Sequence, residues 1–153
     1  MQPTVLVVDD IPEVVKLIGG MLRESGYHVL EATGGSAAIG MLRSECIDLL
    51  VTDLDMPGVS GPELVRRAWK FAPQLPVVFL TAYSGAKDIP CEMLSRARIV
   101  TKPSAKALRG AIAQALEHSR TCGGTSLPLR KCRVGRKATK PGLRTGLSVL
   151  LGL

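Results

Sequence analysis

The chain predicts a doubly wound α/β fold: a parallel sheet of five strands covered on both faces by five helices. Two observations predict it. Short runs rich in Val, Leu and Ile alternate with segments of helical periodicity, the pattern of stacked βα units. Four of those runs also end on a residue suited to handling phosphate or a divalent cation: Val5–Val8 leads into Asp9 and Asp10, Leu49–Thr52 into Asp53, Val77–Leu80 into Thr81, and Ile99–Thr101 into Lys102. In a parallel sheet these ends share the carboxyl edge, where open α/β sheets bind ligands.

The first strand is predicted over Thr4 to Val8 and the first helix over about Pro12 to Ser25. Asp10 is placed as its N-cap, Glu13 completes a capping box, and Gly26 supplies the stop. Val14, Leu17, Ile18 and Met21 recur at i, i+3, i+4 and i+7, giving the helix an apolar face. A second strand runs from Tyr27 to Ala32, and Gly34-Gly35-Ser36 turns it into a helix with Ala37, Ala38, Met41 and Leu42 as its packing face. The third strand is Asp48 to Asp53. A loop from Leu54 to Gly61 leads to a helix over Pro62 to Ala72, where a proline in the first turn leaves no extra hydrogen bond unmade.

The fourth strand, Pro76 to Thr81, is almost wholly apolar, as expected of a central strand covered on both faces. Tyr83 to Asp88 reads as loop, and only a short helix fits between about Pro90 and Arg96. Arg98 to Thr101 forms the fifth strand, and Leu108, Ile112, Ala115 and Leu116 stripe the fifth helix. Five βα units in about 118 residues make the flavodoxin-like order 2-1-3-4-5 the economical topology, because right-handed crossovers with one switch point cover both faces.

Composition bounds the remaining choices. A chain of 153 residues, 46% hydrophobic, supports one domain with a proper core. No run approaches the roughly 18 apolar residues of a membrane span, and Met1-Gln2-Pro3-Thr4 is unlike a signal peptide, so a cytoplasmic protein is expected. Cys46, Cys91, Cys122 and Cys132 form no CxxC pair and have no histidine at ligand spacing, so free thiols are expected. His28 and His118 stand apart from any nucleophile. The net charge of +7 is concentrated: residues 1–119 hold 12 Lys/Arg and 13 Asp/Glu, whereas residues 120–153 hold 8 Lys/Arg and no acid. The division predicted is a domain over 1–119 and a basic, disordered tail over 120–153.

Adjacent aspartates on one strand end with another on its neighbour can hold Mg²⁺, which prefers oxygen ligands. A carboxylate can also accept a phosphoryl group, whose oxygens then need cationic and hydrogen-bonding partners. The ordered set of Asp9-Asp10, Asp53 with Met56-Pro57-Gly58 and Gly61, Thr81-Ala82, and Lys102-Pro103 closely resembles the receiver domain of two-component response regulators over about residues 3–118. Ser60 to Leu64 and Leu75 to Thr81 look similar to receivers of hybrid histidine kinases, here standing as a single domain.

The resemblance implies that Asp53 takes a phosphoryl group from a histidine kinase or histidine phosphotransfer protein. Asp10 and Asp53 would bind Mg²⁺, with the main-chain carbonyl of Asp55 as a further ligand and Asp9 acting largely through water. Lys102 would pair with Asp53 or the phosphoryl group, Thr81 and the Ala82 N–H would bond its oxygens, and Pro103 would follow a cis peptide. Such a domain catalyses its own phosphorylation and dephosphorylation and turns over no external substrate. Asp55 and Tyr83 fall where the family tunes water access to the acyl phosphate. Ile99 departs from the family: three residues before Lys102 it usually has a Tyr or Phe switch, so output is expected through the strand-four loop or a change in docking affinity.

Two other readings are open at this point. One is a receiver-like module that docks without being phosphorylated. The other gives the tail, with Leu129 to Arg133 and Arg136 to Lys140, an electrostatic role on nucleic acid or an acidic partner. No aromatic residue interleaves those cations to stack on bases, and seven mostly apolar residues from Leu147 to Leu153 are too few to span a bilayer.

Overall fold

The computed structural model describes residues 2–82, 89–102 and 104–121. The strands are β1 (Thr4–Val8), β2 (His28–Ala32), β3 (Leu49–Asp53), β4 (Val77–Thr81) and β5 (Ala97–Thr101). The helices are α1 (Pro12–Glu24), α2 (Gly35–Ser44), α3 (Gly61–Phe71), α4 (Cys91–Leu94) and α5 (Ala105–Thr121). All strand pairs are parallel and the sheet order is β2-β1-β3-β4-β5, as the sequence predicts. The loop 83–88, Pro103 and the tail from residue 122 lie outside the described residues, and with them the expectations for Tyr83, Pro103 and the basic runs. The last helix continues to Thr121, past the domain boundary expected at residue 119.

Strand alternation splits the core into two layers. Leu6, Val8, Leu50, Val77 and Phe79 face Ala38, Leu42, Leu64, Val65, Ala68 and Met93 from α2, α3 and α4. On the other face Val5, Val7, Leu49, Val51, Val78 and Val100 meet Val15, Ile18 and Leu22 of α1 and Leu108, Ile112 and Ala115 of α5. Successive side chains of a strand point to opposite faces, so the apolar runs of β1, β3 and β4 fill both layers. A buried Leu or Phe in such a setting contributes roughly 1.5–3 kcal/mol by leaving water.

Three local expectations are corrected. The buried face of α1 is Val15, Ile18, Gly19 and Leu22, and Leu17 is 74% exposed. Val15, Ile18 and Leu22 pack into the sheet, and Gly19 lies beside them under the Glu31 carboxylate of β2, which is paired with Arg23. The N-cap is Ile11, in extended backbone and without a side-chain cap, in place of Asp10. Pro12 disfavours helical backbone in the residue before it, which fixes Ile11 as the last extended residue and leaves the Asp10 carboxylate uncommitted to the helix. Cys46, on the exposed turn between α2 and β3, is disulfide-bonded, whereas Cys91 is free and exposed. Bridging depends on which Cβ atoms the fold brings together, which sequence spacing does not reveal.

Helix α3 follows the rules more closely. Ser60 accepts a hydrogen bond from the Glu63 N–H at 3.4 Å, and Glu63 pairs with Arg66 and Arg67 at 2.8 and 2.7 Å. Those bonds from Arg67 and Arg66 hold its carboxyl below the usual range.

Candidate functional site

The ends of β1, β3, β4 and β5 do converge. Asp9 and Asp10 leave β1, Asp53 ends β3, Thr81 ends β4 and Lys102 follows β5. Carboxylate oxygens of Asp9, Asp10 and Asp53 all lie within 4.8 Å of one another. The three differ in exposure: Asp9 is fully buried, Asp53 is half-buried and Asp10 is exposed. This gradient leaves a solvent-facing side to a hard-oxygen donor set, which suits a small divalent cation that keeps part of its water.

Lys102 ties the cluster together. Its Nζ donates to Asp9 Oδ2 at 2.5 Å and sits 3.2 Å from Asp53 Oδ1. The expected pairing of Lys102 with Asp53 is present, and a shorter contact to Asp9 accompanies it. Asp9 also accepts from the Ile11 N–H at 3.0 Å, so its buried charge is met on both oxygens. Sequence reasoning passes over Ile11, since a main-chain donor leaves no mark in residue type.

Charge and burial compete at this site. Burial is the largest influence on the Asp53 carboxyl and raises its pKa, the Asp9 charge adds to the rise, and Lys102 pulls in the opposite direction without cancelling it. Burial alone would lower the Lys102 pKa, but its hydrogen bond to Asp9 and the charges of Asp53 and Asp9 outweigh burial, so the ammonium is held above its usual value. Two acids and one base thus share a single charge balance.

Backbone contacts position the groups. The Lys102 N–H donates to the Thr81 carbonyl at 2.7 Å, and Leu54 N–H donates to Leu80 O at 3.2 Å. Thr81 is buried, and Ala82 is exposed just beyond it. Gly61 N–H donates to Leu54 O at 2.9 Å, and a Cβ on Gly61 would lie 2.1 Å from the Asp53 carbonyl oxygen. Only glycine lets α3 start this close to the end of β3. Asp55 is exposed on the loop after β3 and its carboxylate is outside the group of three. Ile99 is 38% exposed on β5, its Cα opposite that of Phe79.

A sheet of this order with acids, hydroxyl and lysine at its carboxyl edge defines a receiver domain. The chain belongs to the response regulator receiver domain family, whose model matches residues 5–113. It is 37% identical to the transcriptional regulatory protein GlrR of Escherichia coli over 116 residues, 74% of this chain but 26% of that protein. Over 100 residues it is 32% identical to the response regulator receiver protein CpdR of Brucella abortus, covering 65% of this chain and 83% of the other. A receiver domain structure from Clostridium thermocellum superposes with a TM-score of 0.73 at 27% identity, covering 78% of this chain and 98% of that one. The response regulator TrrA of Thermotoga maritima, solved in complex with Mg²⁺-BeF, gives a TM-score of 0.69 at 28% identity, covering 75% and 100%. No helix among the described residues is long and apolar enough to cross a membrane.

Proposed function

We propose that this receiver takes a phosphoryl group from a phosphohistidine donor onto Asp53, in the presence of Mg²⁺, and signals through phosphorylation-dependent protein–protein interaction. One observation carries the reading: three carboxylates of graded burial lie within 4.8 Å, with a single ammonium spanning Asp9 and Asp53. An Asp53 oxygen attacks phosphorus, the N–P bond of the donor breaks, and the leaving imidazole takes up a proton. An upward-shifted carboxyl is the more basic and hence better nucleophile. Lys102 would leave the Asp53 carboxylate for the transferred oxygens, and Thr81 would donate its hydroxyl to them. Asp9, fully buried, keeps Lys102 at the site throughout.

Asp10, Asp53 and the main-chain carbonyl of Asp55 would hold the metal, with Asp9 behind them; the metal would supply charge neutralisation at the phosphoryl oxygens. The Mg²⁺-BeF complex of TrrA, a structural neighbour, supports that assignment. Loss of the group is hydrolysis: water attacks phosphorus, the Asp53 O–P bond breaks, and inorganic phosphate and a proton leave as the carboxylate returns. Asp55, beside the acceptor, tunes how water reaches it, as does Tyr83. A histidine kinase or histidine phosphotransfer protein is the partner, in the cytoplasm, and a domain over 1–119 carries the chemistry.

Intact-mass analysis after incubation with a small-molecule phosphodonor and Mg²⁺ tests the reading. The wild type should gain one phosphoryl group, and neither the metal-free protein nor Asp53→Asn should. A wild type that stays unmodified by the small donor and by every histidine kinase tried would leave a docking-only module in its place.

A further inference from the structure

A second feature lies at the opposite edge of the sheet, where β4 and β5 begin. Between α3 and α4 the surface forms a cleft of about 330 Å³ lined by Arg66, Trp69, Lys70, Glu92, Met93 and Arg96. Its apolar parts are the half-buried indole of Trp69 and the buried Met93. Trp69 is fixed by its indole N–H, which donates to Leu75 O at 2.9 Å. Arg96 lies over the ring with its guanidinium carbon 4.0 Å from the centroid, and it also donates to the Pro73 carbonyl. Lys70 stands one helical turn from Arg66 on the exposed side of α3. Three cations therefore line the hollow with one acid, Arg66 being paired with Glu63 on its own helix, and none of the receiver chemistry uses them.

We infer that this cleft docks an acidic segment of a partner protein, one apolar side chain of which enters between Trp69 and Met93 while flanking carboxylates meet Lys70 and Arg96. Charge complementarity selects that occupant: with Arg66 already held by Glu63, Lys70 and Arg96 still outnumber Glu92, and an apolar anchor flanked by opposite charge is the usual architecture of a peptide hot spot. A nucleic acid fits less well. Base stacking needs a free aromatic face, and the one aromatic ring of the cleft already carries Arg96. A hollow of about 330 Å³ accommodates a side chain or two, with no groove to track a nucleic-acid backbone.

Trp69 is the chain's single tryptophan, so its fluorescence reports this cleft and nothing else. The probe is a blocked peptide of alternating pairs of glutamate and single leucines, titrated into the full chain at moderate salt. A single-stranded oligodeoxynucleotide and a leucine-to-serine peptide of equal charge serve as comparisons. The expected result is a saturable change with the leucine peptide, weakened roughly tenfold by Lys70→Glu and by Arg96→Gln, and unchanged in Asp53→Asn. Lys70→Glu alters an exposed helix position, so its folded state, checked by circular dichroism, keeps the test valid if Arg96→Gln unfolds. Absence of saturation with the leucine peptide, equal affinity in Lys70→Glu, or tighter binding of the oligonucleotide or the serine peptide would each overturn the proposal.

Discussion

The two edges of the sheet handle charge in opposite ways. At the carboxyl edge, acids are brought together at strand ends, one is fully buried, and a lysine resolves the repulsion by bridging two of them. At the amino edge, cations are spread along exposed helical surface and one of them is spent on an indole face. Buried like charges shift each other's protonation and make a group reactive, whereas exposed charges are screened and serve recognition. As proposed above, the acidic edge carries the chemistry and the basic edge the contact.

Removing Lys102 should show the largest contrast. Lys102→Ala leaves Asp9 buried without its cation, which costs about 3 kcal/mol, the lower end for a broken buried pair because the ammonium is partly exposed. Urea denaturation should register that loss, phosphotransfer to Asp53 should fall by orders of magnitude, and cleft binding should persist. Equal stability of variant and wild type would show that the pair holds nothing in place. Gly61→Ala comes next. Its Cβ would overlap the Asp53 carbonyl, so a loss of about 1–3 kcal/mol is expected together with slower phosphorylation; a variant that phosphorylates at the wild-type rate would remove Gly61 from the positioning of Asp53.

A smaller effect, opposite in sign, is expected for Asp53→Asn without metal. Because the folded pKa of Asp53 is raised, the native state binds its proton more tightly than the unfolded chain. Stability contributed by this group is therefore lost as pH rises from the ordinary carboxylate value to the raised one, and at pH 7 the ionised group is a cost. The variant should melt at a higher temperature at pH 7, with the gain disappearing on acidification below roughly pH 4. Adding Mg²⁺ should stabilise the wild type and narrow the gap. A variant that melts lower at pH 7 would contradict the assigned balance of burial over Lys102. The smallest change is expected at Leu17→Ala, within about 0.5 kcal/mol, against about 2–5 kcal/mol for Leu22→Ala one turn on. Comparable losses at both positions would restore the stripe that the sequence predicts.

That last pair shows where sequence reading ends. Strands β1, β3 and β4 were legible because a strand buried on both faces must be apolar throughout, and the strand-end residues followed from them. The face of α1 was not, because Val14, Leu17, Ile18 and Met21 and the observed Val15, Ile18 and Leu22 are overlapping stripes about one residue apart. Packing against the sheet decides between them, and that packing joins separate elements. The four site positions could be read from strand ends, yet the preference of Lys102 for Asp9 could not, since it is a matter of side-chain reach across the sheet edge. Trp69 and Arg96 belong to no phosphate or metal pattern, and nothing in their spacing announces that one lies over the other.

The bond from the Lys102 amide to the Thr81 carbonyl makes the two strand ends a built-in clock. That amide exchanges its hydrogen with solvent only when the bond opens, so its deuterium uptake counts separations of β4 from β5 at the reacting edge. A phosphoryl group gripped by both residues should slow the count, and its hydrolysis should restore the original pace.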